Sequence, residues 1–121
     1  MTDDIKSLLI DAAKAAGIEY DPELVDVHGV VIEDHTEGAY QSYYWNPYTD
    51  DGDSARLRTA LEIGVNWRDG IAGHVTVTHE SGLYWICHYG DYSGDKNAAL
   101  RMATLRLAAE IWRVKEGAQR D

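Results

Sequence analysis

The stretch 65-VNWRDGIAGHVTVTHESGLYWICHY-89 decides the fold class. Val65 to Asp69, Ala72 to Glu80 and Leu83 to Tyr89 are rich in β-branched and aromatic residues, and the turn dipeptides Asp69-Gly70 and Ser81-Gly82 separate them. This is the pattern of a three-stranded antiparallel meander. Successive strand side chains alternate sides, so Val75, Val77 and His79 share one face while His74, Thr76 and Thr78 share the other. In the third strand Leu83, Trp85 and Cys87 oppose Tyr84, Ile86 and His88. Both faces of that strand carry apolar groups and ask for cover.

Downstream, Asp95 to Glu116 reads as a long helix with two apolar stripes. Leu100, Ala103, Leu107, Ile111 and Val114 form the one suited to a sheet, and Ala98, Met102, Leu105, Ala109 and Trp112 lie about 160° around the wheel from it. The second stripe needs a neighbour of its own. A first helix, with Ile5, Leu8, Leu9, Ala12 and Ala16 at helical spacing, Thr2 as N-cap and Gly17 as its end, offers one. A second copy of the chain, meeting it through Met102, Leu105 and Trp112, is the alternative.

Between these parts, Leu24 to Glu33 favours a strand that Gly29 interrupts with a bulge or turn, and Gly38 to Trp45 an edge strand that Asn46-Pro47 ends. Asp50-Asp51-Gly52 reads as a turn, followed by a second helix capped by Asp53, striped by Leu57, Ala60 and Leu61, and closed by Gly64. The expectation is one α+β domain over residues 1–121. Its antiparallel sheet of three or four strands carries helices on both faces, a layered α/β/α sandwich.

A chain of 121 residues and 13.5 kDa is long enough for one core and too short for two. No apolar run approaches the roughly 20 residues of a membrane span, and Thr2, Asp3 and Asp4 are not the cationic start of a signal peptide. Cys87 is the single cysteine, which fits a reducing compartment. A soluble, cytoplasmic protein is expected.

Net charge is −10, and it is unevenly spread. Residues 1–60 hold 13 acids and 4 bases, whereas residues 61–121 hold 8 and 7. From Ala15 to Ala55 there is no Lys or Arg, but there are ten acids and six Tyr or Trp. This balance argues against binding a nucleic-acid backbone or an anionic membrane surface. With no Phe in the chain, every aromatic ring carries a polar handle suited to a half-wet surface.

Motifs for catalysis are sparse. In Asn46 to Asp53 a calcium loop centred on Gly52 would begin at Pro47 and end at Arg58, neither of which is a ligand. His28, His35, His74, His79 and His88 form no H-x-x-x-H pair, and Cys87 and His88, as strand neighbours, point to opposite faces. No Walker, G-x-S-x-G or G-x-G-x-x-G motif is present. The remaining enzymatic option is His74 or His88 with a carboxylate such as Glu80 or Asp91. No metal or cofactor is implied.

The acidic, tyrosine-rich segment has two readings. In one it is a solvated face partly neutralised by Lys96, Arg101, Arg106, Arg113 and Lys115 of the last helix. In the other it is a contact surface built on Tyr40, Tyr43, Tyr44, Tyr48, Asp50 and Asp51, whose carboxylates steer a basic partner such as a nucleic-acid-handling protein.

The run Trp45-Asn46-Pro47-Tyr48-Thr49-Asp50-Asp51-Gly52-Asp53, followed by Leu57, resembles the signature of the phage ABA sandwich domain, a family of small phage and prophage proteins of unknown function. Asp95 to Ile111 is similar to that family's closing helix, while Tyr48 stands where its members carry an aliphatic residue. The resemblance implies a layered helix–sheet–helix domain and a phage or prophage source, and no catalytic residue. The expectation is a non-enzymatic accessory protein that binds a host or phage protein. A small enzyme and a virion structural component are its rivals.

Overall fold

The computed structural model describes residues 4–20, 25, 28–34 and 41–120. Helix α1 is Ile5–Ala15, strand β1 Val30–Asp34, strand β2 Gln41–Trp45 and helix α2 Asp51–Leu61. Strands β3 (Gly64–Arg68), β4 (His74–Thr78) and β5 (Tyr84–His88) follow, then a 3-10 turn at Tyr89–Tyr92 and helix α3 over Lys96–Arg120.

The expected meander is present as an antiparallel sheet in the order β3-β4-β5. Its register sets Val65, Val77 and Trp85 in one row and Trp67, Val75 and Cys87 in the next, all on the face toward α3. Val75 and Val77 are fully buried there, and Arg106 of α3 lies 5.4 Å from the Trp85 ring. The fold is α+β, as the sequence implies. The expected fourth strand pairs elsewhere, because β2 joins β1 in a separate antiparallel ribbon with Val30 opposite Trp45.

Both stripes of α3 are used within the chain. One side packs on β4 and β5, and the other packs on α1 and α2. The Arg113 Nε donates to Asp11 at 2.7 Å, and Lys14 lies over the Trp112 ring, which fixes the second stripe against α1. Leu8, Leu9, Ala12, Leu105, Ala108 and Ala109 are buried, as is Met102. The layers therefore run sheet, α3, then α1 with α2. On the sheet's other face Tyr84 and Ile86 are 62% and 42% exposed, so no helix covers it among the described residues.

Several expected boundaries move. Asp4, not Thr2, caps α1, its carboxylate accepting the Ser7 N–H at 2.7 Å. Asp50, not Asp53, caps α2. Glu62, in the left-handed conformation at φ 54°, ends α2, so Gly64 is free to open β3. Within α2 only Leu57 of the expected stripe is buried, because Ser54 and Asp53 take the inward positions beside it.

Candidate functional site: an acidic cleft beside Trp45

The site is assembled around the segment Trp45 to Asp53. Asn46 folds the chain back on itself: its Oδ1 accepts the N–H of Tyr48 at 2.9 Å and of Thr49 at 3.3 Å, and its carbonyl accepts the N–H of Asp50 at 2.9 Å. Asp50 then accepts the Asp53 N–H at 3.0 Å as the α2 cap. Asp53, 6% exposed, closes the loop by accepting the Asn46 N–H at 2.9 Å, while Arg56 holds its other oxygen at 2.6 Å. Pro47 is fully buried and Asn46 is 3% exposed. This run of acids is thus in large part a structural clasp. Gly52 lies in the first turn of α2, where a Cβ would come within 3.1 Å of the Asp50 carboxylate.

Two further contacts tie the loop to α3. Arg101 donates to the Tyr48 carbonyl at 2.9 Å and to Asp51 at 2.6 Å. Arg58 bridges the helices by donating to Ser54 Oγ at 2.7 Å and Thr104 Oγ1 at 3.1 Å, and burial lowers the pKa of its guanidinium below the ordinary value.

Above the clasp lies a cleft of about 730 Å3 lined by Ala16, Ile18, Glu19, Tyr44, Trp45, Asp50, Asp53, Arg56, Leu57 and Ala60. Its walls come from the end of α1, from β2 and from α2. Trp45 and Leu57 are buried in the floor, and Tyr44 stands half exposed beside it with its ring 5.6 Å from the His28 ring. Exposed Glu19 and Asp50 set a negative rim that Arg56 answers only in part.

Of the six residues expected to bind a partner, Tyr44 and Asp50 line this cleft. Tyr48 and Asp51 are exposed but lie outside its lining, held by Arg101. Tyr40 lies outside the described residues, and Tyr43 is placed by its backbone, opposite Ile32. Sequence reasoning missed Ile18 and Glu19, which follow α1 and carry no motif, and it took exposed Ala60 for core.

The rival catalytic residues are elsewhere. His74 and His88 face each other across β4 and β5 with ring centroids 5.4 Å apart, and neither bonds a carboxylate among the described residues. Cys87 is buried on the opposite face, where burial raises its thiol pKa and the Tyr92 hydroxyl donates to Sγ at 3.7 Å. Among the described residues no group of three His, Cys, Asp or Glu could hold a metal, and no helix is long and apolar enough to cross a membrane. Comparison with protein-family models, with curated proteins and with solved structures gives no match.

Proposed function

We propose that the protein is a non-enzymatic binding module, a phage or prophage accessory protein that engages a basic host or phage protein through the acidic cleft. The observation that carries this reading is the half-exposed Tyr44 beside an apolar floor of Ile18, Trp45 and Leu57, rimmed by Glu19 and Asp50. Such a cleft takes an apolar side chain flanked by Lys or Arg: burial supplies affinity, and the carboxylates supply orientation and a faster encounter. The family resemblance is consistent with this and adds no residue role.

Affinity capture from bacterial lysate with wild type, Tyr44→Ala and Glu19→Gln, at low and raised salt, tests the reading. Asp50 is left intact because it caps α2. The expected partner is basic, is lost with Tyr44→Ala, and weakens with salt as screening requires. A partner held equally by all three proteins at every salt concentration would remove the cleft from the account.

A further inference from the structure

The first strand of the main sheet is an open edge. All five residues of β3 are exposed, and α3 covers β4 and β5 instead. Val65 and Trp67 point to the core side of the sheet and yet stay 38% and 44% exposed. The hydrogen-bond alternation shows which main-chain groups are unused. The His79 N–H donates to Leu83 and the Tyr89 N–H to Gly73, so the odd-numbered residues of β4 turn their main chain toward β5. His74, Thr76 and Thr78 therefore bond to Arg68, Asn66 and Gly64, their register partners. The N–H and C=O groups of Val65 and Trp67 point away from the sheet, ready to accept another strand.

We infer that this edge pairs with the same edge of a second copy, antiparallel about a dyad at Asn66, to make a continuous six-stranded sheet. The sequence Gly64-Val65-Asn66-Trp67-Arg68 is self-complementary in that register. Val65 meets the second copy's Trp67 as a hydrogen-bonded pair, and it does so twice by symmetry. Both apolar side chains then lie on the core side, while Gly64 faces Arg68 on the other side and leaves room for the long side chain. Asn66 faces itself, and one amide donates to the other.

Charge favours this face over the rest of the chain. The molecule carries −10, yet β3, β4 and β5 contain no Asp or Glu. Asp69, just beyond β3, is paired with Lys96 at 2.6 Å. Two copies can meet at β3 without bringing strand carboxylates together. The second stripe of α3 is not needed for the contact, since Met102 and Leu105 are buried within one chain. The edge also shares no residue with the cleft, so the two readings stand or fall separately.

Sedimentation equilibrium of the full chain at low ionic strength, over a wide concentration range, tests the inference with Asn66→Asp, Asn66→Lys and an equal mixture of the two. Asn66 is exposed, so these changes leave the fold intact, and circular dichroism checks that they do. Wild type is expected to rise from 13.5 kDa toward twice that mass. Each single variant sets like charges opposite each other at the dyad and should weaken association about tenfold or more, and the mixture should restore it. Val65→Pro removes an outward N–H and no bond to β4, so a folded, monomeric variant is expected. A wild type that stays monomeric, single variants that associate as well as wild type, or a mixture no tighter than the single variants would each overturn the inference.

Discussion

Between Trp45 and Asp53 three polar side chains hold main chain, whereas across β3 to β5 the polar side chains stand outward. Asn46, Asp50 and Asp53 each accept main-chain N–H groups, and Asn46 and Asp53 are buried. On the sheet His74, Thr76, Thr78 and His88 line a face that no helix covers among the described residues, and Val75 and Val77 alone carry the burial of the middle strand. Acid in a sequence is therefore not the same as acid on a surface. Part of the negative charge that looks like a docking field is spent on closing a loop, and at the cleft Glu19 and Asp50 remain exposed.

The largest expected effects come from packing common to both regions. Leu105 is fully buried in α3, so Leu105→Ala should cost about 2–5 kcal/mol in urea unfolding. Gly29 comes next, because it holds φ at 121° and an added Cβ would sit 2.3 Å from the Trp45 carbonyl. Gly29→Ala should cost at least about 2 kcal/mol and loosen β1 from β2 without touching the sheet. Slow amide exchange retained in β4 but lost in β2 would show that the two regions respond separately.

The clasp divides the two aspartates. Asp53→Ala leaves the buried Asn46 N–H without its acceptor and should cost about 1–3 kcal/mol. Asp50→Ala loses a helix cap at a more exposed place and should cost about 1 kcal/mol. Equal losses in thermal unfolding would mean that Asp53 acts only as one more helix-end charge.

The sheet and the 3-10 turn that follows it respond to alkali instead. Burial raises the pKa of the Cys87 thiol, and burial together with the bond to Cys87 raises that of the Tyr92 hydroxyl. The folded chain therefore keeps protons that the unfolded chain releases, the thiol from about pH 8.5 upward. Stability should fall as pH rises through the thiol and then the tyrosine range, and Cys87→Ala should flatten the first part of that fall. In native protein at pH 8 a thiol reagent should react slowly with Cys87 and quickly once urea is added.

The meander and α3 were legible because alternation and helical spacing are direct consequences of burial, and Val75, Val77 and Leu105 obey them. The two stripes of α3 announced two neighbours, and α1 proved to be one of them. What was not legible depended on which of several equivalent polar residues wins a position. Asp50 and Asp53 are both good caps by type, and only the approach of the Asn46 N–H to Asp53 assigns them. The cleft was hidden for the same reason: Ile18, Tyr44 and Leu57 are distant in sequence, and only the packing of three elements brings them to one place.

The smallest effect on stability is expected at Tyr44, and it bears most on function. Tyr44 is 50% exposed and its ring meets that of His28 at a tilt of 55°, so Tyr44→Ala should change unfolding free energy by less than about 0.5 kcal/mol. An exposed aromatic that contributes so little to the fold is available to contribute to binding, where a buried ring at the centre of an interface is worth about 2 kcal/mol or more. Isothermal titration of the captured partner into wild type and Tyr44→Ala separates the two roles. Wild-type stability with affinity reduced about thirtyfold places the ring in the interface. A matching loss of stability would give Tyr44 a role in the fold and leave the cleft without its anchor.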